Sequence, residues 1–494
     1  MTRLRGLGQP AAPFEMLHWL RSDEPFELDT FWWRPGSDGQ LPAEGSAAET
    51  HGTLRYSPQR GLELTVFDLL PGLDAFQGPS RIPVLFGETL EHKPCALFDA
   101  VPTKTEGNLF GGHHRLVLRG HQFLLGEHVA VLDQVKSKRF HLRLRGLREW
   151  LTTPFRANPE QVRSGLSREG NPEGLSVQLE GLRLLLGFDW RERGSQVIEE
   201  HATATFEFEE ELELQGFFAD YLVPLQDLLV LATREQSVLQ SLLVERCDER
   251  RSESLHPAIG AAARPETWNR WDLQVVRTPN VPPAQPRQTE FEQLLLPAVA
   301  VADDLEGVLR RWYELRWRLR EAGAFFFTSL NQDSSWVTRR LLDRMSFAET
   351  YHRVNLPGTR PLGKEEHGRL RDMMLERLGD HPHKERYKRA LDDANRQLNV
   401  ERITALFARA REIDLGVDLQ EKTLPRQLVA TRNYLTHWND KRRNVLDGVA
   451  RFQAVRRLTL VLQINVLLDL GISAETIKAC VDESYRTAVW ENEG

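Results

Sequence analysis

The chain has 494 residues, 40% hydrophobic and 27% charged, with a mean hydropathy of -0.45, which excludes a small disulfide scaffold, a disordered chain and an integral membrane protein. Its 64 Lys and Arg against 71 Asp and Glu give a formal net charge of -7, which excludes a uniformly basic surface for nucleic acid. Residues 291–494 carry +3, so residues 1–290 carry -10.

The three cysteines, Cys95, Cys247 and Cys480, lie far apart without CxxC spacing. This spacing favours neither a zinc site nor a disulfide framework, and it fits a reducing cytoplasm. The N-terminus has no apolar core of signal-peptide length. The longest apolar stretch, Leu458 to Leu470, is too short and too polar to span a bilayer. We therefore expect a cytoplasmic protein with no membrane partner.

The region from about Glu27 to Val275 consists of short apolar or alternating runs broken by Gly, Pro and Asp, which is typical of strands and turns. A helical interruption is expected at Phe218 to Ala232. We divide this mostly β region into residues 27–151 and a continuation at 152–276 with a sensing or regulatory role. The clearest strands are predicted at Leu62–Phe67, Ile82–Phe86, Ala96–Val101, Arg115–Leu118, Phe140–Leu144 and Ala202–Leu214.

Residues 277–290 contain four prolines and almost no apolar side chain, which predicts an extended linker. Beyond it, residues 291–490 change to a helical period and predict a helical bundle. The predicted fold class is thus α+β, with a mostly β region followed by an all-α domain. Helices are expected on two apolar stripes, from Leu305 to Leu319 and from Val445 to Val466, and at about 335–352, 364–379, 383–396, 400–413, 424–438 and 473–489.

Familiar catalytic motifs are not found in the sequence: it has no GxxxxGK[ST] loop, no HExxH helix and no GxSxG elbow. The stretch with His113, His114, His121 and His128 suggests a metal site, since imidazole is a common ligand. Its spacing matches no ligand pattern, and nearby carboxylates and thiols are sparse. We favour structural or surface histidines here and predict no metal and no cofactor. A metal-dependent hydrolase at this stretch is the least favoured alternative.

The segment Arg432-Asn433-Tyr434-Leu435-Thr436-His437 is the strongest catalytic candidate. A permanently charged guanidinium suits the charge that develops on a phosphate, and a histidine exchanges protons near neutral pH. Asn433 and His437 are four apart on the predicted helix, so the amide could orient the imidazole. RNA carries its own nucleophile, the 2′-hydroxyl, so its cleavage needs an acid, a base and a cation but no metal.

Spacing alone does not make this segment a site. Arginines precede histidines at similar distances elsewhere in the chain, as at Arg115 and His121. A basic helical segment of this kind could also cap its own helix or pair with acids in the bundle, and the residues alone leave these alternatives about equal. What distinguishes the candidate is its basic surroundings: residues 421–460 hold nine Lys or Arg against three acids.

RNYLTHWND in a C-terminal helical domain resembles the HEPN domains of prokaryotic defence ribonucleases. The preceding segment SFAETYHRV resembles the helix that brings an acidic side chain, here Glu349, toward the arginine and histidine. Four N-terminal segments resemble the N-terminal domain of ApeA-type anti-phage proteins, and together these resemblances cover about 27–151 and 291–490. The N-terminal segments are HGTLRYSPQRGLELTVFD, IPVLFGETLEHKPCALFDAV, RGHQF and FHLRLRGLREWL.

The resemblance implies a metal-independent RNA endonuclease that acts in abortive infection and dimerises, or forms a higher homo-oligomer, through its helical domain. Arg432 and His437 carry over as catalytic residues, Asn433 as the motif's polar second position, and Glu349 as a support. The implied partners are tRNA or mRNA and a phage-encoded trigger. We assign RNA contacts to the basic residues after the motif, Lys441, Arg442 and Arg443. The alternative is a non-catalytic sensor or adaptor that binds RNA or protein.

The acidic β region is expected to restrain the helical domain or to sense the trigger, because its charge of -10 repels RNA. Deleting residues 1–276 should then change toxicity or its dependence on the trigger.

Overall fold

The structure is a computed structural model in which the chain divides into two compact units. The β unit comprises Met1–Gln226 and Gln236–Gln288, and the helical unit comprises Asp227–Glu235 and Thr289–Gly494. The structure describes residues 20, 22, 24–34, 50–67, 81–106, 115–151, 175–193, 197–245, 272–278, 294–331, 336–356, 362–415, 419, 421–437 and 443–490.

Six antiparallel strands of the β unit close into a barrel. They follow one another in space as β4–β1–β2–β3–β6–β5, and pairing of β4 with β5 completes the ring. Closure removes the free edges that a flat sheet would present. The strands are β1 Phe26–Trp33, β2 Thr50–Ser57, β3 Gly61–Val66, β4 Ile82–Thr89, β5 Pro94–Glu106 and β6 Arg115–Gly120.

The long strand β5 also joins the barrel to an open antiparallel sheet. From β5 the order continues β7–β13–β12–β8–β11–β10–β9. Strands from both predicted segments, 27–151 and 152–276, pair in it, since β7 pairs with β13, and β8 pairs with β11 and β12. Its strands are β7 Gln122–Leu125, β8 Lys136–Leu144, β9 Leu175–Leu179, β10 Leu182–Arg193, β11 Val197–Glu213, β12 Leu239–Glu245 and β13 Asp272–Arg277.

Glycines in the barrel strands allow close packing around Trp32, which is fully buried. A Cβ atom on Gly87 would lie 2.8 Å from the Trp32 ring and 2.9 Å from the Phe31 carbonyl oxygen. A Cβ atom on Gly52 would lie 2.8 Å from the carbonyl oxygen of Thr65. Both glycines fall in the segments that resemble ApeA-type domains, so packing explains why only glycine fits there.

We expect Gly87→Ala to destabilise the β unit by about 1–3 kcal/mol, because the added methyl group overpacks a closed barrel. The matched control is Gly368→Ala in the helix Lys364–Leu378, where no atom lies within 4 Å of the added Cβ. Alanine should stabilise that helix by up to about 1 kcal/mol. Thermal unfolding followed by tryptophan fluorescence measures both. An unchanged midpoint for Gly87→Ala would mean that the barrel has room.

Among the described residues, two α-helices precede the helical bundle, and the second is strongly apolar. They are α1, Leu147–Trp150, and α2, Leu214–Thr233, which includes a π turn at Phe218–Leu222. This confirms the predicted helical interruption. By length and composition, α2 is the one described helix able to cross a membrane, yet 67% of its apolar window is buried, as in the core helices of soluble proteins. Its residues from Asp227 onward group with the helical unit.

The helical unit contains the helices predicted from the 3.6-residue period. One difference concerns the second stripe, because its helix begins at Gly448 and Val445 lies before it. Val449 and Phe452 are also exposed, so the stripe becomes buried only from Val455. The helices are α3 Leu305–Asn331, α4 Val337–Asn355, α5 Lys364–Leu378, α6 Lys384–Ala394, α7 Asn399–Arg411, α8 Leu424–His437, α9 Gly448–Asp469 and α10 Ala474–Trp490.

A buried ion pair lies in the core of the helical unit. Arg316 of α3 donates from Nε to Oδ2 of Asp227 over 2.9 Å, and the two side chains are only 5% and 8% exposed. The Arg316 guanidinium also lies over the Phe327 ring, 5.4 Å from its centroid. The last turns of α2 are therefore tied to α3 by a charged contact that excludes water.

Candidate functional site

The strongest candidate segment lies on α8, as predicted. Pro425 stands in the first turn, where its missing N–H costs no hydrogen bond. The buried side chains Leu428, Val429 and Thr431 attach the helix to the bundle. Thr431 also accepts a hydrogen bond from the Leu446 N–H over 2.9 Å, which fixes the chain after the helix. This packing leaves the next residues of α8 half-buried or exposed at the surface of the unit.

Arg432 is held by a carboxylate from another helix. Its Nε lies 3.7 Å from Oε1 of Glu349 on α4, and the two side chains are 28% and 17% exposed. The same Glu349 oxygen accepts a hydrogen bond of 2.9 Å from Nδ2 of Asn399, the first residue of α7. Three helices thus fix the direction of one guanidinium. The sequence did not single out Asn399, because asparagine is common at the start of helices for reasons of capping alone.

The other two motif residues follow Arg432 on α8 in different settings. Asn433 accepts a hydrogen bond of 3.2 Å from Nη1 of Arg432, and it is exposed. His437 is the last residue of α8 and is exposed to solvent. Among the described residues, no hydrogen bond joins Asn433 to His437, so the amide supports the arginine rather than orienting the imidazole.

Two neighbours of Glu349 on α4 have structural roles. Tyr351 is buried, and its hydroxyl donates a hydrogen bond to Asp469 of α9. Asp469 also accepts a hydrogen bond of 2.6 Å from Arg409. Burial raises the pKa of Tyr351 well above its ordinary value. Burial also lowers the pKa of His352, with the charge of Arg402 adding to the effect, which favours the neutral imidazole. Neither side chain is therefore placed to offer a positive charge to a phosphate.

The predicted RNA-binding residues are described only in part. Arg443 is exposed after α8, whereas Lys441 and Arg442 lie outside the described residues. Elsewhere in the basic stretch, Arg457 is engaged by Glu421 over 2.7 Å. Part of the local positive charge is therefore neutralised within the helical unit.

The histidine-rich stretch is described at two of its four positions. His128 makes a hydrogen bond of 2.8 Å with the carbonyl oxygen of Gly87 and packs against two aromatic rings. Burial lowers the pKa of His121, while His113 and His114 lie outside the described residues. Within the part of the chain that the structure describes, no three His, Cys, Asp or Glu side chains are grouped to hold a metal ion.

The arrangement on α8 suits chemistry on a phosphodiester. A guanidinium fixed by a carboxylate can neutralise a phosphate oxygen, and an open imidazole can exchange a proton. A half-exposed ion pair contributes little to the free energy of folding. The contact with Glu349 therefore matters more for orienting the Arg432 guanidinium than for stabilising the fold. The carboxylate limits the freedom of the guanidinium without closing it to solvent.

Comparison with protein families gives two matches along the chain. Residues 29–312, more than half of its length, match the family described as ApeA N-terminal domain 1. Residues 342–476 match the family described as Apea-like HEPN. The second match includes Glu349, Asn399, Arg432 and His437. Comparison with curated proteins and with solved structures gives no match.

Proposed function

The chain belongs to the ApeA family of anti-phage defence proteins and carries an Apea-like HEPN domain of the nuclease type, and from this premise we propose that it is an RNA endonuclease. The observation that carries the proposal is the ion pair of 3.7 Å by which Glu349 directs Arg432, on the helix that ends with the exposed His437. These are the residue types that RNA cleavage without a metal requires.

The proposed reaction is an intramolecular transesterification, in which the phosphorus of the RNA backbone exchanges its 5′-oxygen for the 2′-oxygen. The 2′-oxygen of one nucleotide attacks the adjacent phosphorus, and the bond from phosphorus to the 5′-oxygen breaks. The 2′-hydroxyl loses a proton to a base, and the departing 5′-oxygen gains a proton from an acid. The products are a 2′,3′-cyclic phosphate and a 5′-hydroxyl. Arg432 neutralises charge on the phosphate, and His437 acts as acid or base.

A single motif supplies one histidine, whereas the reaction uses both a base and an acid. We infer that two chains place their α8 helices face to face, so that each contributes Arg432 and His437 to one site. Glu349 and Asn433 keep the guanidinium in position on each side. Arg443 and the neighbouring Lys441 and Arg442 hold the flanking phosphates. The assembly is therefore a homodimer or a higher oligomer built on the helical unit.

The β unit is assigned to sensing. Residues 1–290, which include the whole β unit, have a net charge of -10, which opposes binding of a polyanion and favours a protein trigger encoded by the phage. Release of restraint after binding of the trigger would start cleavage of tRNA or mRNA in the cytoplasm. The resulting arrest of the host is the proposed route of defence.

The test is cleavage of end-labelled RNA by the full chain with EDTA present throughout, with and without extract from phage-infected cells. We expect cleavage that leaves 2′,3′-cyclic phosphate ends, and no cleavage of the same strand carrying 2′-deoxy sugars. A His437→Ala chain purified in parallel controls for contaminating nucleases. Cleavage of the deoxy strand would overturn the mechanism. RNA binding without cleavage in both conditions would favour the adaptor.

A further inference from the structure

An arginine-lined cavity of about 270 Å³ lies in the helical unit. It is formed by α4 and α9 and by the C-terminal ends of α2 and α3. Arg234, Arg340, Arg344 and Arg456 line it, and no Asp or Glu is present among its described lining residues. Two of these arginines, Arg344 and Arg456, make no ion pair with any described residue, so the cavity favours an anion.

Arg344 is the buried member of this set. Its side chain is 5% exposed, and it donates from Nε to the Thr459 hydroxyl and from Nη1 to the carbonyl oxygen of Arg340 over 3.3 Å. In the described part of the chain no carboxylate lies within 4.0 Å of it. Burial and the charge of Arg340 lower its pKa to about 10, so it remains charged at neutral pH. A buried cation without a counter-ion is costly, and a bound anion would offset that cost.

The mouth of the cavity combines charge with an aromatic surface. Phe452 is 42% exposed, and the Arg456 guanidinium lies over its ring, 6.0 Å from the centroid. Arg456 is exposed and makes no ion pair with any described residue. Gln463, which is 4% exposed, also lines the cavity and brings an amide to it. An anionic group, a planar ring and a hydrogen-bonding edge would each find a partner here.

We propose that this cavity binds a nucleoside monophosphate, with its phosphate toward Arg340 and Arg344 and its base toward Phe452. The volume is slightly below the range of about 300–1,000 Å³ typical of drug-sized ligands, which suits one nucleotide rather than a strand. The cavity is separate from the proposed cleavage site. Arg344 and Glu349 are five residues apart on α4, so their side chains point about 140° apart around the helix axis.

The test is binding of AMP and of inorganic phosphate to the full chain by isothermal titration calorimetry. We expect AMP to bind more tightly than phosphate. Arg340→Gln and Arg456→Gln should each weaken AMP binding at least about 10-fold, as expected for loss of a charged hydrogen bond. The matched control is Arg339→Gln, because Arg339 is the next residue on α4, is 71% exposed and pairs with Asp343 instead. It should leave the affinity unchanged.

A second control separates the cavity from the cleavage site. Arg432→Gln should retain AMP binding, since Arg432 does not line the cavity. The proposal is overturned if AMP does not bind at millimolar concentration, or if Arg340→Gln and Arg339→Gln weaken binding equally. It is also overturned if Arg432→Gln abolishes binding. Equal affinity for AMP and phosphate would contradict the assignment of the base to Phe452.

Discussion

Replacing His437 with alanine is expected to lower the rate of RNA cleavage by about 10²- to 10⁴-fold, the usual contribution of a positioned acid or base. The imidazole is exposed at the end of α8, so its removal leaves the core of the helical unit intact. The loss should therefore appear in the catalytic rate rather than in folding. Single-turnover cleavage of a labelled RNA measures the rate, and a filter-binding assay measures retained RNA affinity.

The matched control for this variant is His383→Ala. His383 is also exposed in the helical unit, next to the first residue of α6, and it lies away from the motif. We expect the wild-type rate from it. An undiminished rate in His437→Ala would exclude this residue as the acid or base. An equal loss in both variants would instead point to a general effect of histidine removal on the unit.

Replacing Asp227 with alanine is expected to destabilise the helical unit by about 3–5 kcal/mol, the usual cost of leaving one buried charge without its partner. The substitution leaves the Arg316 guanidinium at 5% exposure with no carboxylate, and arginine does not release its proton at accessible pH. Denaturant titration of the full chain, followed by circular dichroism at helical wavelengths, measures the change.

Removing Arg316 should cost less stability than removing Asp227. Burial raises the pKa of Asp227 to about 7, while Arg316 opposes that rise. In Arg316→Met the remaining carboxyl group can take up a proton and become neutral, so this variant should lose less stability than Asp227→Ala. The double variant Asp227→Leu with Arg316→Met should recover part of the loss. An equal or larger loss in Arg316→Met would contradict this reasoning.

Local periodicity predicted the helices of the bundle and six of the strands, β3, β4, β5, β6, β8 and β11, but it did not single out the other described strands. The alternation in Ala202–Leu214 predicts a strand, and β11 contains all of it except Leu214, the first residue of α2. The stripe from Leu305 to Leu319 predicts a helix, and α3 contains it. Closure of the barrel through β4 and β5 was not predictable, because a period of two residues shows which face is buried but not which strand is the partner.

The candidate site likewise has parts that the sequence predicts and parts that it does not. The motif on α8 and the acidic residue Glu349 are visible in the sequence, whereas the hydrogen bond from Asn399 depends on how α7 packs. The arginines of the cavity come from helix faces far apart in the chain, and no local pattern joins Arg234 to Arg456. Contacts between distant segments are what the sequence alone leaves open.

The contribution of Asp227–Glu235 to the helical unit changes how the protein should be dissected. A truncation that begins at residue 277 removes Asp227 and leaves Arg316 without its carboxylate. Changed toxicity of such a fragment would then reflect misfolding as well as lost regulation. Substitutions at the surface of the β unit test its sensing role without this complication.

The pairing of β7 with β13 also sets an order of events during synthesis. Residues 122–125 pair with β5 on one edge, but their partners on the other edge lie at 274–277, so the sheet remains incomplete until nearly the whole β unit has left the ribosome. The helices that carry Glu349, Arg432 and His437 emerge later. Every newly made chain therefore has the opportunity to finish its acidic β unit before its HEPN domain exists.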